Sequence, residues 1–121
     1  MSGIVNIELA EKVLKQVKEN PEQHDQHNWI TKSDCGTRAC LAGWTVHIAG
    51  LRPGTWIEGP VWSAWSTVSV GGVERNIDRV AAELLGMDEE SADRIFYTLS
   101  NEHSIELFTE AIEEAKANAA L

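Results

Sequence analysis

Four side chains able to hold a metal or to act as nucleophiles fall close together: His24, His27, Cys35 and Cys40, spaced H-x2-H-x7-C-x4-C. Two imidazoles and two thiolates make a complete tetrahedral zinc set. Zinc ligands of this kind usually sit on a knuckle or turn, however, whereas Cys40 lies inside an apolar helical run and reads as a small packed thiol. A cysteine nucleophile needs a setting that stabilises thiolate and a base nearby. Cys35 precedes a predicted helix N-terminus, and His47 is the available imidazole, but nothing in the spacing joins them. The simpler expectation is that Asp34 or Thr37 caps the helix and Cys35 packs beside it. There is no Gly-rich phosphate loop, no G-x-S-x-G turn and no H-E-x-x-H pair. The expectation is a protein that is not an enzyme and carries neither metal nor cofactor. A small zinc- or thiol-binding protein using His24, His27, Cys35 and Cys40 is the alternative.

The elements that must position these residues follow from periodicity. Ile4, Ile7, Ala10, Val13, Leu14 and Val17 recur at helical spacing, with Glu8 to Lys12 and Glu11 to Lys15 as i,i+4 pairs, and the helix ends at Asn20 and Pro21. Residues 22–28 are polar and read as a loop, which brings Trp29 and Ile30 onto the core. Residues 37–49 are apolar on nearly every side and predict a buried central helix stopped by Gly50. Residues 51–72 hold Gly, Pro, three Trp and the β-favouring run Thr67, Val68, Ser69, Val70. Helical spacing returns at Ile77, Val80, Ala81, Leu84 and Leu85 and stops at Gly86. It restarts after Asp88, a predicted N-cap, with Ile95, Phe96 and Leu99 as the apolar side. A last helix begins between Ser100 and Ser104 and carries Ile105, Phe108, Ala111 and Ile112. The predicted fold is mainly α: four to five helices in one compact domain, 1–121, with a long Trp-rich loop or small β-hairpin between residues 51 and 72.

Composition bounds the partners. A hydrophobic content of 43 % in 121 residues is enough to close one core without disulfides or metals. No run approaches the roughly 20 apolar residues a membrane helix needs, and the first residues do not read as a signal peptide, so a cytoplasmic protein with two free thiols is expected. The net charge of -9 opposes direct binding to nucleic acid, which depends on Lys and Arg displacing counterions. Between Glu83 and Glu114 ten acidic residues face a single basic one, Arg94, a balance suited to solvated helix faces or to attracting a basic surface. Trp56, Trp62 and Trp65 form either a recognition surface or a lid on the core.

The run Cys35, Gly36, Thr37, Arg38, Ala39, Cys40, Leu41, Ala42, Gly43, Trp44 resembles a C-G-T-x-x-C-x-A-G-W signature of short proteins from actinobacterial phages and bacteria. Ala81, Ala82, Glu83, Leu84, Leu85, Gly86 and Met87, followed by Ala92, Ile95 and Phe96, look like its second part. Small residues at Gly36, Ala39 and Gly43 would let the Cys/Trp helix approach its neighbours closely. The resemblance implies a phage-type accessory protein that binds and redirects a host protein, in the host cytoplasm. Separately, Ser104, Ile105, Glu106, Leu107 and Phe108 resemble the Q-L-[SD]-L-F peptide that docks bacterial replication proteins on the DNA polymerase sliding clamp. Apolar second, fourth and fifth residues would fill the clamp's groove. Ser104 replaces the motif's glutamine, and Ile105 and Phe108 also lie on the predicted core stripe. This resemblance implies the sliding clamp as partner and inhibition of host replication as the consequence.

Overall fold

The computed structural model describes residues 4–33, 36–56 and 62–120, so Asp34 and Cys35 lie outside the described residues. The chain begins with helix α1 (Ile7–Glu19), capped by the Asn6 side chain, which accepts from Leu9 N. Ile4 is buried, although the helix starts after it; Val5 N and Asn6 N instead donate to Leu85 O at 2.8 and 3.0 Å. A single 3-10 turn, Pro21–Gln23, follows.

Two short strands follow, the first just past the predicted loop and the second over the start of the predicted central helix. Strand β1 (Ile30–Ser33) pairs antiparallel with β2 (Gly36–Ala39) in register Ile30↔Ala39 to Ser33↔Gly36. Helix α2 therefore runs from Leu41 to Ile48, and its N-cap is Cys40, not Asp34 or Thr37. Residues 37–49 are apolar enough to satisfy a helix pattern, but a short apolar run does not distinguish a buried strand from a buried helix. What separates them is pairing: β3 (Ser63–Trp65) arrives on the other side of β1, with Ile30↔Trp65 and Lys32↔Ser63, to give sheet order β2-β1-β3. Gly36 has φ +104, a left-handed value that favours glycine.

The predicted hairpin is present but runs beyond residue 72. Strands β4 (Thr67–Val70) and β5 (Val73–Asn76) pair from Thr67↔Asn76 to Val70↔Val73. The turn between them is Gly71 and Gly72, both at positive φ, as a two-residue hairpin turn that follows the strand twist requires. Helix α3 (Ile77–Leu85) ends at Gly86 with φ 75, α4 (Glu89–Phe96) starts after Asp88, and α5 (Asn101–Ala119) is capped by Ser100. Leu99 falls in the turn after α4, not on its apolar side, and is exposed.

The mainly α expectation is thus corrected to a mixed α/β domain: among the described residues the structure is 55 % helical, with five α-helices and the 3-10 turn, and 18 % strand, chiefly in two small antiparallel sheets. Helix α2 packs against α1 and α3, and its residues Leu41 to Val46 are buried throughout. Gly43 explains how this is possible. A Cβ there would lie 1.8 Å from Trp29 O and 2.8 Å from the Ala39 Cβ, so the helix backbone rests directly on the chain entering β1. The expected close approach holds at Gly43 and Ala39. At Gly36 a Cβ would meet nothing, and the glycine is there for its φ.

Candidate functional site

The segment expected to be a polar loop carries Gln26, whose side chain makes four hydrogen bonds among the described residues. Gln26, 4 % exposed, donates from Nε2 to the carbonyls of Phe96 (3.4 Å) and Thr98 (3.0 Å). Those bonds orient the amide so that Oε1 is the acceptor; it takes the Leu41 N–H at 2.7 Å and the His24 Nε2 at 2.9 Å. His24 Nε2 is therefore the donor in that bond and carries a proton. Burial holds its pKa below the ordinary 6.5, against the opposing pull of the Gln26 bond and the Asp25 charge. Asn101, at the start of α5, completes the link: it accepts from Gln26 N at 2.9 Å and donates to His24 O at 2.8 Å.

The four-residue zinc set does not assemble from its described members. His24 Nε2 is committed to Gln26, and His27 is exposed beside Asp25. Cys40 turns its sulfur to the Gly43 N–H at 3.4 Å and toward Trp29 O at 3.8 Å. Burial pushes that thiol up to about 12, so it is not a nucleophile near neutral pH. Among the described residues no three His, Cys, Asp or Glu side chains converge as metal ligands, and Cys35 lies outside them.

Beside this network the surface opens into a pocket of about 210 Å³, lined by Gln26, His27, Asn28, Trp29, Cys40, Phe96, Tyr97 and Leu99. Trp29 and Tyr97 meet edge to face with ring centroids 5.4 Å apart. Tyr97 is 55 % and Leu99 59 % exposed, so the rim is apolar and open to solvent. The Tyr97 hydroxyl donates to Asp78 Oδ2 at 2.7 Å, a bond that pushes its pKa up to about 12. Drug-sized ligands occupy roughly 300–1,000 Å³, and this smaller space suits a single apolar side chain. Sequence reasoning missed Tyr97 and Leu99; a tyrosine and a leucine just past a helix end were the available signal.

The predicted partner-binding residues are not brought to one place. Trp56 and Trp65 meet at a tilt of 38° with centroids 5.0 Å apart and are half-buried against the core; Lys32 Nζ lies 4.6 Å above the Trp56 ring. Trp65 Nε1 donates to Thr55 Oγ1 at 2.8 Å. Trp62 is 74 % exposed. Trp56 and Trp65 thus cover part of the core, whereas Trp62 faces solvent. Ser104, Ile105, Glu106, Leu107 and Phe108 form the first turns of α5: Ser104 and Phe108 are fully buried, Ile105 and Leu107 half-buried, and Glu106 exposed.

Among the described residues no helix is long and apolar enough to cross a membrane. Comparison with protein-family models, with curated proteins and with solved structures finds no match to this chain.

Proposed function

We propose that this protein acts by binding another protein, with the Trp29, Tyr97 and Leu99 pocket receiving one apolar side chain of its partner. The observation that carries the reading is the open apolar rim, where two large side chains remain more than half exposed around a preformed cavity. Anchor residues at interfaces characteristically enter such pockets. Direct nucleic-acid binding is disfavoured by the charge of -9.

The named candidate partner is the bacterial sliding clamp, with inhibition of host replication as the effect of a phage-type accessory protein. Its support is the resemblance at Ser104 to Phe108. The fold adds a condition: Phe108 and Ser104 are in the core, so an extended clamp-binding peptide forms only if the first turns of α5 unwind. Contact through the exposed pocket or Trp62 has no such cost.

Two measurements test this. Random peptides selected on the wild-type protein, with counter-selection on Leu99→Asp, should enrich sequences sharing one apolar anchor; no enrichment removes the pocket as a docking site. Immobilised sliding clamp should capture the intact protein, with Leu99→Asp weakening capture by about tenfold, corresponding to ~1.4 kcal/mol. Capture by a peptide of residues 102–110 would instead assign the contact to an unwound α5. Silence from both protein and peptide removes the clamp.

A further inference from the structure

Helices α4 and α5 leave between them a second cavity, about 210 Å³, that shares no residue with the first. Ile95, Leu107 and Ala111 give it an apolar strip, flanked on α5 by Glu110 and Glu114. Arg94 stands on the α4 side. We propose that this groove is an interaction surface for a basic amphipathic helix of a partner protein, seated with its apolar stripe on Leu107 and its cationic edge along α5. The inference rests on the protein-binding reading but on a different surface.

Charge identifies the occupant. Glu106, Glu110 and Glu114 repeat at i,i+4 along one edge of α5, a like-charge spacing that works against helix stability and is relieved by cations placed between them. The helix supplies no lysine or arginine to Glu110 or Glu114. Lys116 reaches across to Glu11 on α1, and His103 lies 4.0 Å from Glu106. Glu110, Glu113 and Glu114 enter no ion pair among the described residues. An apolar strip between two helices accepts the apolar face of a third, read as anchors at i, i+3 and i+4. The single cation at Arg94, likewise unpaired among the described residues, adds polarity to the site: the bound helix is basic toward α5 and neutral or acidic toward α4.

The test is fluorescence anisotropy with a labelled Leu/Lys peptide, leucine at helical spacing on one face and lysine on the other. At about 0.1 M ionic strength, where exposed charges farther apart than roughly 10 Å are screened, the full chain should bind it with Kd of about 10 μM or tighter. The double variant Glu110→Lys, Glu114→Lys should weaken binding by about tenfold or more, while Arg94→Glu should tighten it. The control pair Glu19→Lys, Glu22→Lys makes the same charge change on exposed residues outside the groove and should shift Kd by less than about twofold. All these side chains are exposed, and circular dichroism checks that each variant is folded. Leu99→Asp should leave this affinity unchanged, which separates failure of the pocket from failure of the groove. The proposal is overturned by no binding at about 100 μM, by equal loss in the control pair, or by equal affinity for a Ser/Lys peptide lacking the apolar face.

Discussion

The side-chain oxygen of Gln26 accepts the backbone N–H of Leu41 at 2.7 Å, so a loop residue supplies the hydrogen bond that the first turn of the central helix cannot make for itself. The same carboxamide holds two carbonyls at the end of α4, so one side chain ties α2 to the turn before α5. Gln26→Leu would fill the volume and strand these buried groups. At 1–3 kcal/mol for each unsatisfied group, partly relieved by water, the expected loss is about 3 kcal/mol in urea unfolding. A loss below about 0.5 kcal/mol would mean that the network is not closed in solution.

His24 sets an acid limit on stability. Its folded pKa is depressed, so below the unfolded value of 6.5 the unfolded chain binds a proton that the folded chain resists. Stability is therefore fully present above pH 6.5 and declines as pH falls from there toward the folded pKa. Equilibrium unfolding in His24→Asn, which has no titrating ring, should show a flatter pH dependence across that window than wild type. Parallel curves would exclude His24 as the source.

Two glycines of the signature-like run should fail for different reasons. Gly43→Ala places a methyl into Trp29 O, a backbone atom with no room to move, and should cost more than about 3 kcal/mol or prevent folding. Gly36→Ala meets no atom and pays only for its positive φ, about 1 kcal/mol. Thermal melts that rank the two in the opposite order would contradict the packing of α2 on Trp29.

Cys40 carries a revised expectation. As an interior apolar position it would suffer from a hydroxyl; as the N-cap of α2 it already accepts from Gly43 N and faces Trp29 O. Serine is a favoured N-cap with both partners in place, so Cys40→Ser should cost less than about 1 kcal/mol, and Cys40→Ala, which abolishes the cap, about 1–2 kcal/mol. In native protein near neutral pH the Cys40 thiol should resist iodoacetamide and react after unfolding, as its burial and pKa of about 12 require.

Local sequence alone determined the elements whose signal is periodic or conformational. Helices α1 and α3 follow their apolar stripes, Gly86 stops α3 in the left-handed region, and the hairpin strand at Thr67 to Val70 is where its β-branched residues placed it. Tertiary structure decided the rest. Whether residues 36–39 became helix or strand depended on β1 lying between β2 and the much later β3, a pairing that no local window contains. The role of Gln26 was equally hidden, because its partners at Phe96 and Thr98 lie 70 and 72 residues away in the chain. The candidate sites divide in the same way. The acidic edge of α5 was legible as composition, but Leu99 looked like a core residue until α4 ended at Phe96 and left it in the turn. Phe108 was legible both as a core-stripe position and as a recognition anchor, and in the fold it is buried. Residue type and spacing specify which surfaces are apolar; only packing decides which of them remain facing water.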